Sequence, residues 1–180
     1  MAELEALHAA TRRLLDVDGR EAIASVAVDA AVDVLEFPYS VVWYPTSTDD
    51  ALAAAAISES IEPHVGGDPS SEMRHEHGSW LWRAYEADET RRLTISRGQA
   101  ASETPLHAVI TVPLDDHGVL TVGAADEAAL TDADEKLASI LGKNVQAALS
   151  RAERERRLDE QNRQLALLNQ IVRHDIRNEM

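Results

Sequence analysis

An α+β domain, with an antiparallel sheet, helices packed on one face and a long terminal helix, is the fold class this sequence predicts. Three patterns carry that expectation. Two stretches near the start repeat apolar residues at helical spacing. The middle of the chain holds short β-rich runs between Pro, Gly and Asp turns. From Thr131 to Met180 there is no proline and a single glycine, Gly142, so one uninterrupted helix is expected there.

Each element has its own signal. Leu4, Leu7, Ala10, Leu14 and Leu15 mark an amphipathic helix from Ala2 to about Asp16. Asp18 with Glu21 forms a capping-box pattern for a second helix, whose stripe is Ile23, Val26, Ala27, Ala30, Val34 and Leu35 and which ends before Pro38. Tyr39 to Tyr44 is a strand closed by Pro45, and the turn Thr46-Ser47-Thr48-Asp49-Asp50 leads into a return strand, Ala51 to Ser58. Glu59 to His77 is polar and contains Pro63, Gly66, Gly67 and Pro69, the composition of a mobile connection. Gly78-Ser79 opens a short helix to about Ala87 carrying Trp80, Leu81, Trp82 and Tyr85. A strand from Arg91 to Ser96, a polar loop from Arg97 to Glu103 and a hairpin of Leu106 to Leu114 with Val119 to Ala124 follow. Thr131, answered by Asp134 or Glu135, caps the last helix.

Composition excludes several function classes. With 32 acidic against 17 basic residues the net charge is −15, which repels nucleic acid and anionic membranes. Cysteine is absent, so disulfides, thiolate metal sites and thiol nucleophiles are ruled out. No apolar run approaches the roughly 20 residues of a membrane span, and the start lacks the pattern of a signal peptide, so a cytoplasmic location without membrane insertion is expected. All the basic residues except Lys136 and Lys143 are arginine. This acidic, alanine-rich and lysine-poor make-up resembles that of haloarchaeal cytosolic proteins.

The end of the chain carries the chemistry. At about 100° per residue, Leu165, Val172 and Ile176 lie roughly 160° to 200° from His174, with Leu168 near 120°, so a helix burying that side leaves His174 in solvent. Asn178 sits one turn on from His174 on the same face, and Asp175 flanks it. An exposed imidazole can attack the terminal phosphate of a nucleotide; the carboxylate can take its proton or hold its tautomer, and the amide can orient a water for the reverse hydrolysis.

His174-Asp175-Ile176-Arg177-Asn178 resembles the H-box of sensor histidine kinases at all five positions, and its lead-in Leu167 to Arg173 resembles the haloarchaeal version. Glu179-Met180 depart from the apolar continuation usual in that family. The resemblance implies His174 as phosphoacceptor, Asp175 as general base and Asn178 as the residue that positions water. It also implies a kinase catalytic domain that uses ATP, and a response regulator receiver domain as recipient. Neither a second dimerisation helix nor an ATP-binding domain lies within these residues, so the chain alone is expected to be inactive, the input part of a longer receptor.

The order of elements from Leu4 to Ala152 resembles a GAF domain. Gly78-Ser79-Trp80-Leu81-Trp82-Arg83-Ala84 is similar to the family's short helix over its pocket, His107 to Ala124 to its late hairpin with Val112-Pro113-Leu114, and Thr131 to Leu137 to the start of its last helix. On that likeness residues 1–152 form the sensor, and 153–180 a signalling helix that begins the phosphoacceptor helix. The pocket is expected between sheet and loops, lined by Ile57, Trp80, Trp82, Tyr85, Ile95, His107 and Val109. Its ligand is unknown, and the cysteine that bilin-binding members need is absent. His64, His75 and His77, with Glu72 and Glu76 nearby, invite a metal site but lack a third ligand at a telling spacing; they are expected to be solvated, as is His117 in its turn.

Two seams run along the final helix: Leu137, Asn144, Arg151, Leu158, Leu165 and Val172, and Ile140, Ala147, Arg154, Gln161, Leu168 and Asp175. Apolar ends flank a polar middle, a pattern that permits two registers close in energy. A homodimer through the first and last helices is the expected assembly. Two functions fit: the input part of a histidine kinase, or the regulatory dimerisation module of a transcriptional regulator.

Overall fold

A computed structural model describes residues 2–96, 105–126 and 129–178. The loop expected over Arg97–Glu103 lies outside the described residues. Helices α1 (Ala2–Asp16) and α2 (Arg20–Leu35) come first, followed by strands β1 (Tyr39–Pro45) and β2 (Ala51–Ile57). A 3-10 turn (Glu62–His64), helix α3 (Pro69–Glu72), strand β3 (Arg74–Glu76) and helix α4 (Trp80–Ala87) lead to β4 (Arg91–Thr94), β5 (Ala108–Pro113) and β6 (Val119–Ala124). Helix α5 (Asp132–Asn178) ends the described chain. The strands form one six-stranded sheet in the order β3-β2-β1-β6-β5-β4, and every pairing is antiparallel. The expected α+β class is the observed one.

Alternation along the strands sorts side chains into two layers. Val42 of β1, Ala108, Ile110 and Val112 of β5, and Leu120 and Val122 of β6 face α1, α2 and the first part of α5, and these residues make the larger core. Val41, Trp43, Leu52, Ala54 and Val119 face the other way and form a second cluster with Ile61, Met73 and Leu81 under α4. The root of α5 lies so close to β5 that a Cβ at Gly142 would meet Val112 Cγ1 at 2.2 Å. This explains the one glycine in that helix.

Two local expectations are corrected and a third is met. Glu59 to His77 is not an open connection: α3 is capped by Asp68, and β3 adds an edge strand to β2. A three-residue strand is too short for periodicity to reveal. Asp18 does not cap α2, because Gly19, at φ 90°, occupies the N-cap position and no side chain bonds there. At the other end of the domain the expected box forms: Thr131 Oγ1 accepts from the Asp134 N–H at 3.3 Å and Asp134 Oδ2 accepts from the Thr131 N–H at 2.8 Å.

The seams of α5 also differ from the heptad reading over their first half. Leu137 packs on the larger core, Asn144 Nδ2 donates to Thr11 Oγ1 at 3.0 Å, and the Arg151 guanidinium donates to the carbonyls of Leu14, Leu15 and Val17 at 3.3, 2.9 and 3.2 Å. Arg151 thus serves the end of α1, where the last helical carbonyls need donors, while Asn144 ties α5 to the Thr11 hydroxyl. The seam becomes free of the body at Leu158.

Candidate functional site

Beyond Glu153, α5 leaves the body and every described side chain is exposed. Leu158, Leu165, Leu168, Val172 and Ile176 are each 54–59% exposed on one side of it, so the face expected to be buried is uncovered in the single chain. His174 and Asp175 are both 74% exposed. His174 Nδ1 lies 3.8 Å from Asp175 Oδ1 and 3.3 Å from Asn178 Nδ2. Both neighbours address Nδ1, which leaves Nε2 toward solvent. Asp175 stands at ion-pair rather than hydrogen-bond distance, whereas Asn178 Nδ2, an amide donor, faces Nδ1 as its acceptor. Asn178 reaches the imidazole itself. Leu167 and Ile171, both exposed, lie on the His174 side of the helix, a second apolar patch outside both expected seams.

The second candidate site is the sheet face under α4. Ile57, Trp80, Trp82 and Tyr85 border the cluster there, and Ile95 and Val109 are buried. The deepest aromatic residue is Trp43 of β1, which is not among the expected lining residues: its Nε1 donates to Thr121 Oγ1 at 2.8 Å across the sheet. On α4, Leu81 is fully buried, while Trp82 turns outward to donate to Glu86 Oε1 at 2.9 Å and lies against the His77 and Tyr85 rings. His107 does not belong to this face. It precedes β5, is exposed, and its Nδ1 meets the Ala125 carbonyl at 2.8 Å.

His75 reverses its expected environment. On β3 it alternates inward between Arg74 and Glu76, is 6% exposed, and sits edge-on to Trp43 and Trp80, with ring centroids 5.0 and 5.1 Å away. Among the described residues its Nε2 has no hydrogen-bond partner. Burial holds the imidazole down to about 4. His117 is likewise buried at 6% exposure, although it lies in the hairpin turn. No group of three or more His, Cys, Asp or Glu among the described residues could hold a metal ion. Glu72, a candidate ligand, instead accepts from the Gly66 N–H at 2.8 Å. No helix among the described residues is long and apolar enough to cross a membrane.

A sheet with three helices on one face, a short helix over an aromatic cluster on the other, and a long helix leading away defines a sensory or regulatory module of signalling proteins. The GAF domain family matches residues 18–150, and the chain belongs to it. Its fold is similar to the GAF domain of a phosphoenolpyruvate-protein phosphotransferase from Coxiella burnetii, at 14% identity over 86% of this chain and 96% of that one, with a TM-score of 0.70. The second GAF domain of DevS from Mycobacterium smegmatis is similar at 15% identity over 76% and 96% of the two chains, with a TM-score of 0.63. So is a methyl-accepting chemotaxis protein, at 12% identity over 83% and 98%, with a TM-score of 0.63. At these identities the likeness concerns the fold. No curated protein matches the chain.

Proposed function

We propose that this chain is the sensory part of a two-component sensor histidine kinase, in which a signal received by the GAF domain is carried along α5 to His174. One observation carries this reading: a single helix, rooted against β5 at Gly142, runs unbroken to Asn178 and presents His174, Asp175 and Asn178 together at a solvent-exposed imidazole. From Glu153 to His174 the helix spans about 30 Å at 1.5 Å per residue, enough to pass a rotation or shift from the sensor to the phosphoacceptor. The uncovered stripe from Leu158 to Ile176, together with exposed Leu4, Leu15 and Ile140 at the sensor end, supports a parallel homodimer through the first and last helices. A catalytic domain would bind ATP and transfer its terminal phosphoryl group to His174, releasing ADP, and a receiver domain would accept the phosphate from His174. A helix that only dimerised a transcriptional regulator would gain nothing from an exposed His, Asp and Asn grouped away from the Leu158–Ile176 stripe.

The test is phosphotransfer. When Mg-ATP and a histidine-kinase catalytic domain are supplied, acid-labile phosphate should accumulate on the chain. Asp175→Asn should slow its formation about 10- to 100-fold, because the carboxylate that attracts the imidazole proton is lost. Asn178→Ala should leave formation nearly intact and slow hydrolysis. Equal rates for both variants and the parent would refute these roles.

The acidic surface supports a protein suited to concentrated salt. Its melting temperature should rise by several degrees between millimolar and molar KCl as carboxylate repulsion is screened. A flat salt dependence in differential scanning calorimetry would contradict that.

A further inference from the structure

The sheet separates α4 from α5, and the β5–β6 turn, at one end of the sheet, is bonded to both. On the α4 side, the Tyr85 hydroxyl donates to the Asp116 carbonyl at 3.1 Å. Burial and the Asp116 and Asp115 carboxylates hold the Tyr85 phenol above its ordinary range, so it remains a donor. On the α5 side, His117 Nε2 meets Ser150 Oγ at 3.0 Å, His117 Nδ1 lies 4.0 Å from Glu153 Oε2, and Gln146 Nε2 donates to Asp115 Oδ2 at 3.5 Å. Gln146, Ser150 and Glu153 occupy one face of α5, immediately before the helix leaves the body.

The turn is bonded within itself and to its neighbours. Leu114 N–H donates to the Gly118 carbonyl at 2.9 Å and His117 N–H to the Leu114 carbonyl at 3.2 Å. Arg20 donates to the His117 carbonyl at 3.2 Å while its guanidinium lies 4.4 Å over the Tyr44 ring. Gly118, at φ 145°, passes so close to β1 that a Cβ would meet the Trp43 carbonyl oxygen at 1.9 Å. Trp43 is the aromatic residue at the centre of the cluster under α4.

We propose that the β5–β6 turn is the coupler of this receptor: Tyr85 and Trp43 report the state of the α4 face to it, and His117 passes that state to Ser150 and Glu153 at the root of the output helix. His117 is thus a positioning residue for the helix that presents His174. This inference rests on α5 being the output helix, the reading given above. Closure or opening of α4 would displace Asp116, and the rigid turn would deliver the displacement to one face of α5 while Asn144 and Arg151 hold another face on α1. Opposed clamps on two faces convert a small shift into a rotation.

Hydrogen–deuterium exchange of the full chain tests the coupling without any phosphate chemistry. Tyr85→Phe removes one hydroxyl on the far side of the sheet from α5. It should accelerate exchange at residues 150–157 about threefold or more, the size expected for loss of one hydrogen bond from a linked local opening. His117→Ala should do the same, and His117→Gln, which can still reach Ser150 Oγ, should restore most of the protection. Tyr85→Phe combined with Ser150→Ala should give less than the product of the two separate effects, as expected when both break one route. The proposal is overturned if Tyr85→Phe changes exchange in α4 and the turn alone, if the effects multiply independently, or if β1 and β6 loosen equally. If the coupling holds while His174 takes no phosphate, the kinase reading alone falls.

Discussion

Leu165→Lys combined with Val172→Lys should turn the proposed homodimer into a monomer. Both side chains lie in the uncovered stripe of α5, more than half exposed in the single chain. Burying a Leu or Val side chain contributes about 1.5–3 kcal/mol, and two-fold symmetry places four of them at the interface. Replacing them with facing ammonium groups should therefore raise the dimer dissociation constant by at least about a thousandfold, equivalent to some 4 kcal/mol. Because neither residue touches the sensor body, the melting of the sheet domain at equal subunit state should be unchanged. Sedimentation equilibrium is the direct measurement, and an unaltered dimer would show that the stripe is not the interface.

Acid should weaken the fold through His75. In the unfolded chain an imidazole takes up its proton near pH 6.5, whereas in the fold burial against Trp43 and Trp80 delays this to about 4. Between those values the unfolded chain binds more proton, so the stabilisation is whole above about pH 6.5 and is lost as pH falls toward 4. The gap corresponds to about 3 kcal/mol, an upper figure for one buried imidazole. Acidification also neutralises carboxylates and relieves their repulsion, which acts in the opposite direction. His75→Met isolates the contribution: urea unfolding at pH 7, 6 and 5 should show a steeper loss for the parent than for the variant. Parallel lines would mean that His75 is not held neutral by the fold.

What could be read from the sequence was whatever repeats or closes locally. The long helix, its Thr131–Asp134 box and the hairpin around Asp115 to Gly118 each carry their signal within a few residues, and each formed as expected. Burial that arises from tertiary contact was not legible. His75 and His117 read as polar loop residues, and their partners Trp80, Trp43 and Ser150 come from other elements. Asn144 and Arg151 read as weak points in a coiled coil because their acceptors, on α1, lie more than a hundred residues away in sequence. The grouping of His174, Asp175 and Asn178 was legible as a pattern on one stretch of helix, and the structure adds which imidazole nitrogen the two neighbours address.

Mapping the phosphate decides whether His174 is the phosphoacceptor. After reaction with Mg-ATP and a histidine-kinase catalytic domain, the chain should be digested at neutral pH and fragmented by electron transfer, conditions that preserve phosphohistidine. Phosphate should map to His174, and the acid-labile label should be lost completely in His174→Gln. Label that persists in that variant, or that maps to His8, His64, His77 or His107 instead, would contradict that role.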